Sequence, residues 1–171
     1  MIDQTDAAPL TLAALAARLG VRQPSLYKHI EGMDDLRRSI AVRAKLELAS
    51  VMGRSAVGKA GGDAITAMSV SYRKWAAAHP GRYAATVRAP DSGDADDEAA
   101  SLELTKIAFE IMSGLGLNGD DAVDAIRALR AVLHGFVTLE AQGGFGLPAD
   151  IDRSFDRLLA GLVVGLADWA R

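Results

Sequence analysis

Apolar residues recur every three or four positions along most of the chain, which is the spacing of one face of an α-helix. The first such set consists of Leu12, Leu15, Ala16 and Leu19. Thr11 is a good N-cap for this helix, because its hydroxyl oxygen can accept a hydrogen bond from an unpaired backbone N–H. Gly20 suits the position where a left-handed residue ends a helix. The pattern therefore predicts a short capped helix over residues 12–19.

The pattern continues as a series of helices. A second short helix is predicted over residues 23–30, where Pro24 is tolerated because the first helical turn leaves its N–H groups unpaired. Further helices are predicted over residues 34–52, 63–79, 80–87, 98–113, 120–141 and 150–170. Pro80 ends the fourth helix by disfavouring a helical conformation at His79. No segment shows the alternation typical of strands, so the predicted fold class is all-α.

Two short helices joined by a turn containing Gly form a helix-turn-helix pattern. The residues expected to pack the pair together are Leu12, Leu15, Ala16, Leu19, Val21, Leu26 and Ile30. The other face of the second helix then presents Arg22, Gln23, Ser25, Tyr27, Lys28 and His29. Arg and Gln can bind guanine and adenine through paired hydrogen bonds, Ser can bond several base edges, and the other three suit phosphate oxygens. Spacing alone leaves two interpretations open, a DNA-binding surface and an ordinary solvated face.

Composition favours a helical protein with a sizeable core. Of 171 residues, 50% are hydrophobic and 24% are charged, and there is no cysteine, which excludes disulfides and thiolate metal sites. Residues 1–45 hold seven Lys or Arg against five Asp or Glu, whereas residues 46–171 hold twelve against seventeen. A basic first part in a chain of net charge −3 is compatible with binding to a polyanion. No segment is typical of a signal peptide or a membrane span, so we expect a cytoplasmic protein.

The segment TLAALAARLGVRQPSLYKHIEGMDDL, residues 11–36, resembles the helix-turn-helix signature of the TetR/AcrR family of bacterial transcriptional regulators. The matching positions are Thr11, Leu12, Leu15, Ala16, Leu19, Gly20, Val21, Leu26, Tyr27, His29 and Leu36. The later segment LHGFVTLEAQGGF, residues 133–145, resembles a piece of the C-terminal domain in one TetR subgroup. The resemblance implies a DNA-binding domain over residues 1–45 and a ligand-binding and dimerisation domain over residues 46–171.

Carried over by position, the resemblance implies base contacts from Arg22, Gln23 and Ser25, and phosphate contacts from Thr11, Tyr27, Lys28 and His29. The sequence departs from the family pattern in two places. Met33 stands where many relatives have a phosphate-binding lysine, so that contact is either missing or supplied by Arg37 or Arg38. The family also has a helix before Thr11, of which only the tail would fit into the ten preceding residues. We therefore expect a truncated three-helix domain in which Leu12, Leu15 and Leu26 have lost a packing partner.

The last two predicted helices carry broad apolar stripes, and the final one is apolar over more than half of its circumference. Such a helix is either buried centrally or faces a partner. The family resemblance implies that these two helices form a four-helix homodimer interface. The residues assigned to it are Leu129, Phe136, Phe155, Leu158, Gly161, Leu162, Gly165 and Leu166.

The central helices hold large side chains at helical spacing, and spacing alone favours an ordinary core. The resemblance implies instead a mostly apolar ligand cavity with a few polar anchors, Tyr72 or His134 among them. The residues assigned to ligand binding are Met68, Tyr72, Trp75, Tyr83, Phe109, Met112 and His134.

An enzyme is the main alternative class. His29, His79 and His134 do not share a metal-ligand spacing, and the GKAGG segment lacks the spacing of a phosphate-binding loop. We therefore predict no catalytic residue, no metal and no cofactor. The predicted function is a ligand-responsive repressor that binds a palindromic operator as a homodimer. The alternative is a small-molecule-binding helical dimer without DNA-binding activity.

Overall fold

The structure, a computed structural model, describes residues 2–3 and 10–170. Within these residues the regular secondary structure is entirely α-helical, which confirms the all-α prediction. The helices are α1 (Leu12–Leu19), α2 (Gln23–Leu26), α3 (Met33–Ala56), α4 (Gly61–Ala78), α5 (Pro80–Thr86), α6 (Ala95–Ser113), α7 (Gly119–Ala141) and α8 (Ile151–Trp169). The expected tail of a helix before Thr11 falls largely on residues 4–9, which lie outside the described residues.

Local signals set the ends of α1 as predicted. The Thr11 hydroxyl oxygen accepts a hydrogen bond from the Ala14 N–H at 3.1 Å, and Gly20 adopts the left-handed conformation with φ 68°. Helix α2 is shorter than the predicted helix over residues 23–30. It ends at Leu26, and the His29 N–H then bonds back to the Leu26 carbonyl at 2.9 Å, an i to i+3 bond that tightens the chain into a turn.

Helices α1, α2 and the start of α3 form a small core of their own. Leu12, Ala16 and Leu26 are buried there, and four partly buried residues pack against them: Leu15, Ile30, Met33 and Leu36. The lost packing partner expected for Leu12 and Leu26 was expected to leave both side chains exposed, and this expectation is wrong. Side chains from the turn after α2 and from the first turn of α3 cover them.

The main core lies among helices α3 to α8. Helix α3 packs against α4, α5 and α6, and α7 and α8 close the bundle through contacts with α4 and with each other. The fully buried side chains include Leu48, Ile65, Met68, Met112, Leu117, Phe155, Leu159 and Leu166. The boundary predicted between residues 45 and 46 falls inside α3, which runs without interruption from the small core into the main one.

Candidate DNA-binding surface, cavity and dimer face

The polar segment after α1 is exposed as a group. We call it the polar segment, and it consists of Arg22, Gln23, Ser25, Tyr27, Lys28 and His29, whose side chains are all solvent-exposed. Leu26, in their midst, is buried and fixes the segment to the small core. Thr11 is exposed as well, although its hydroxyl oxygen already caps α1. The structure thus leaves the hydrogen-bonding groups of the polar segment accessible to a macromolecule.

The two arginines that could replace the phosphate-binding lysine differ in their surroundings. Arg37 is exposed and pairs with Asp34, one turn earlier on the same helix. Arg38 instead forms two hydrogen bonds of 2.5 Å to the Asp94 carboxylate and one of 2.8 Å to Asp96. The hydrogen bonds from Arg38 hold the pKa of Asp94 below its usual value. Of the pair, Arg37 is therefore the one available to a phosphate.

A second ion pair joins α3 and α6, and it is buried more deeply than the pairs that Arg38 forms. The Lys45 ammonium lies 2.5 Å from the Asp97 carboxylate and 3.0 Å from the Ser101 hydroxyl, and both charged side chains are fully buried. This pair was not predicted from the sequence. The available signal was the position of Lys45 on the face of α3 that also carries Ala41, Ala44 and Leu48, which are all buried. Helices α3 and α6 are thus joined by charged groups as well as by apolar packing.

A cavity of about 400 Å³ lies in the main core, where α3, α4, α6 and α7 surround it. Its size is near the lower end of the roughly 300–1,000 Å³ typical of small-molecule sites. The walls are mostly apolar, and their main residues are Leu48, Met52, Met68, Leu104, Ala108, Ile126, Leu129 and Leu133. A larger cleft of about 940 Å³ lies between the start of α3 and α5, but charged side chains line much of it. The apolar cavity is the better match to a small-molecule site.

Three polar side chains form a continuous hydrogen-bonded chain at this cavity. The Tyr72 hydroxyl lies 2.8 Å from the Tyr83 hydroxyl, which in turn lies 2.6 Å from Nδ1 of His134. Tyr72 and His134 line the cavity, whereas Tyr83 is buried behind them. Burial raises the pKa of Tyr83 far above its usual value and raises the pKa of Tyr72 in the same direction. Both phenols are therefore protonated at neutral pH.

The structure brings part of the predicted ligand set together. Met68, Tyr72 and His134 line the cavity, and Tyr83 contacts it through its hydrogen bonds. The other three do not line it. Trp75 stacks on His79 at 5.0 Å between ring centroids, Phe109 is exposed on the outer side of α6, and Met112 is buried elsewhere in the core. The wall residues of α3 and α6 were not predicted, because apolar spacing does not distinguish a buried face that borders a cavity from one that packs against another helix.

The predicted dimer residues fall into two groups. Leu129, Phe136, Phe155 and Leu166 are buried inside the chain's own core, so their assignment to a surface that contacts a partner is wrong. Leu158, Gly161 and Gly165 are exposed on one side of α8, with Leu162 half-buried beside them. Trp169 continues the same row and is 51% exposed. We call this row, Leu158, Gly161, Leu162, Gly165 and Trp169, the α8 face.

Helix α7 offers a similar row. Ala128, Val132 and Gly135 are half-buried at helical spacing, and Leu139 is exposed one turn further on. Apolar residues that remain at the surface of two adjacent long helices are typical of an interface.

Arg73 on α4 fixes the end of α7 and the start of α8. Its guanidinium donates a 2.8 Å hydrogen bond to Glu140 on α7 and pairs with Asp152 on α8 at 2.8 Å. It also lies 4.7 Å from the centre of the Phe155 ring and 5.2 Å from that of Phe136. The hydrogen bonds to Glu140 raise the pKa of Arg73 further above its usual value. One side chain thus connects three helices of the bundle.

Residues 65–162 match the model of a protein family described as "Tetracyclin repressor-like, C-terminal domain". The chain is 37% identical over 159 residues to an uncharacterized HTH-type transcriptional regulator of Mycobacterium tuberculosis, Rv0681, and covers 72% of that protein. It is 31% identical over 165 residues to another, YobS of Bacillus subtilis, and covers 85% of it. The chain belongs to the TetR family.

Solved structures agree with this fold. The chain superposes with a TM-score of 0.75 on the crystal structure of a candidate regulatory protein, SCO4313, at 24% identity, covering 94% of this chain and 88% of that one. A protein of unknown function from Rhodococcus sp. RHA1 gives a TM-score of 0.75 at 23% identity, covering 92% and 85% of the two chains. At these identities the likeness concerns the fold alone. Family and relatives together identify the TetR-family chain as a transcriptional regulator with a helix-turn-helix.

The described residues form neither a metal site nor a helix that could span a membrane. No group of three or more His, Asp or Glu side chains is placed to hold a metal ion in that part of the chain. None of the helices from α1 to α8 is long and apolar enough to cross a membrane.

Proposed function

We propose that this TetR-family protein is a ligand-responsive repressor that binds a palindromic operator as a homodimer. The observation that carries the proposal is the exposure of every residue of the polar segment around the buried Leu26. In this proposal Arg22, Gln23 and Ser25 contact base edges, and Thr11, Tyr27, Lys28 and His29 contact phosphates. Such a protein would act in the cytoplasm, where bacterial DNA lies.

The α8 face and the apolar row of α7 support a dimer. A single polar segment contacts too few base pairs for specific binding, whereas a two-fold dimer places two of them about 34–36 Å apart, one turn of DNA. Gly161 and Gly165 lack side chains, so a partner helix can approach closely there. We propose that the two faces pack against their copies as a four-helix bundle.

Helix α3 supports a response to ligand. It begins at Met33, four residues after the polar segment ends at His29, and its Leu48 and Met52 side chains line the cavity further along. A ligand that prefers one orientation of α3 would shift the population of dimers toward one separation of the polar segments. In the proposed repressor this separation no longer fits the operator.

The test is an electrophoretic shift of the DNA upstream of the protein's own gene, at several salt concentrations. We expect specific binding at low salt that weakens steeply as salt rises, because phosphate contacts release counterions. Gln23→Ala should relax sequence preference, with a loss of roughly 1–3 kcal/mol on the preferred site only. Lys28→Ala should weaken binding to all sequences alike and reduce the salt dependence.

Equal effects of the two variants on all sequences would contradict the division of roles. A protein that binds small molecules and dimerises but never shifts its upstream DNA would be a binding dimer without DNA-binding activity.

A further inference from the structure

The buried and half-buried side chains of the cavity wall include no arginine, lysine or carboxylate. Only Arg127 and Arg130 are charged among the residues that line it, and both are exposed. Arg127 pairs with Asp124 at 3.3 Å, and Arg130 donates a hydrogen bond of 3.1 Å to the Val87 carbonyl. No buried charge therefore lies in the wall to compensate a charged ligand group, and burying an unpaired charge is strongly unfavourable.

The two threonine hydroxyls of the cavity wall already donate hydrogen bonds within the chain. The Thr86 hydroxyl donates to the Tyr83 carbonyl at 2.7 Å, and the Thr105 hydroxyl donates to the Ser101 carbonyl at 2.8 Å. Tyr72 remains, at the end of the chain of hydrogen bonds that runs through Tyr83 to His134. The Tyr72 hydroxyl can therefore still form a hydrogen bond to a ligand.

The chain from Tyr72 to His134 has two neutral proton arrangements. If Nδ1 of His134 accepts from Tyr83, then Tyr83 accepts from Tyr72, and the Tyr72 oxygen offers a lone pair to the cavity. If Nδ1 of His134 instead carries the proton and donates, every bond reverses and the Tyr72 hydroxyl donates to the cavity. The same side chain can thus serve a ligand hydroxyl or a ligand carbonyl without any change of charge.

We propose that the ligand is an uncharged, mostly apolar small molecule with one hydroxyl or carbonyl oxygen bound to the Tyr72 hydroxyl. This inference rests on the proposed function, because it names the ligand class of the cavity that the repressor would use. The oxygen would lie against Tyr72, and the apolar remainder would fill the space between the α3, α6 and α7 walls.

The test compares three probes of nearly equal shape by titration calorimetry at pH 7, using the whole chain. They are 4-propylphenol, propylbenzene and 4-propylbenzoate. We expect 4-propylphenol to bind about tenfold more tightly than propylbenzene, which leaves the Tyr72 hydroxyl without a partner, and more than tenfold more tightly than the benzoate anion.

Tyr72→Phe then isolates the proposed hydrogen bond. We expect it to lower the affinity for 4-propylphenol about five- to tenfold and to leave that for propylbenzene within about twofold. Ser113→Ala is the control, because it removes a hydroxyl from an exposed residue of α6 that does not line the cavity. The ranking of the probes on the unaltered protein needs no variant, so it stands even if Tyr72→Phe folds poorly.

Three results would overturn the ligand class: tightest binding of 4-propylbenzoate, equal loss of phenol and hydrocarbon affinity in Tyr72→Phe, or no binding of any probe at millimolar concentration. None of them affects the DNA shift, which tests the regulator by itself. If 4-propylphenol binds as expected but saturating amounts leave the DNA shift unchanged, the ligand class stands. The ligand response of the proposed function then fails.

Discussion

Lys45 and Asp97 form the most deeply buried ion pair among the described residues, with side-chain exposures of 2% and 0%. Two charges in the interior attract each other strongly but have both lost their hydration, so the pair contributes little net stability. The second oxygen of Asp97 has no hydrogen-bond partner in the described part of the chain. The pair therefore matters for how α3 and α6 are registered against each other more than for the total stability.

Removing one partner of the Lys45–Asp97 pair should lower the free energy of unfolding far more than replacing both partners. Lys45→Met leaves the Asp97 carboxylate buried without its counter-charge, and we expect the free energy of unfolding to fall by about 3–5 kcal/mol. Lys45→Met combined with Asp97→Leu should recover most of this loss, because no buried charge is left unpaired. Urea denaturation followed by circular dichroism measures both values.

Arg43→Met is the control, since Arg43 lies on the same helix but is exposed and pairs with Glu47 at the surface. We expect it to change the free energy by no more than about 0.5 kcal/mol. If Arg43→Met and Lys45→Met lower the free energy of unfolding by similar amounts, burial does not make the loss of a charge partner more costly.

Helix ends were predictable where a local signal decides them. Thr11 and Gly20 bound α1 as predicted, and Pro80 separates α4 from α5. The length of α2 was not predictable from local signals, because packing of Leu26 on the small core and the turn before α3 determine where it stops. Gly53 lies inside α3 rather than beyond it, since one glycine costs a buried helix only about 1 kcal/mol.

Which helix faces meet was harder to predict from the sequence than where the helices lie. The spacing of Tyr72 and Trp75 placed both on one face of α4, yet only Tyr72 borders the cavity. The arginines that connect helices were missed for the same reason. Arg73 and Glu140 are 67 positions apart, and no local rule pairs them.

Arg73 should decide how firmly α7 and α8 are held to α4. Arg73→Met keeps much of the apolar stem but removes the hydrogen bonds to Glu140 and the charge against the Phe136 and Phe155 rings. We expect a loss of about 2 kcal/mol in the free energy of unfolding, because hydrogen-bonded charges and cation–π contacts are worth this much when partly buried. Thermal and urea denaturation measure it.

Arg127→Met provides the comparison on α7, where Arg127 and Asp124 are both exposed. We expect a change within about 0.5 kcal/mol there. If Arg73→Met is equally mild, the α4 connection contributes little and apolar packing alone holds α8.

At the scale of the whole molecule, α3 connects the small core to the main one, and the α8 face would connect one chain to its copy. The proposed repressor needs both connections, because a ligand in the cavity acts on operator binding only through the distance between two polar segments. The apolar width of the last two helices left burial and a partner contact both open, and the family resemblance was what implied a dimer. Neither separated Phe155, which the chain buries itself, from Leu158, which it leaves exposed.

Gly165→Glu tests the dimer without disturbing the fold of one chain. A Cβ atom at Gly165 meets no atom within 4 Å beyond its own helix backbone, and the residue is exposed, so we expect each protomer to remain folded and helical. In the proposed four-helix bundle the same glutamate would bring two like charges into an apolar interface, and we expect dissociation to monomers and loss of the DNA shift. Light scattering measures the molar mass, and circular dichroism checks the helix content.

Ala160→Glu adds the same charge at an exposed position on another side of α8 and should leave a dimer that binds DNA. A Gly165→Glu protein that remains dimeric would place the interface elsewhere.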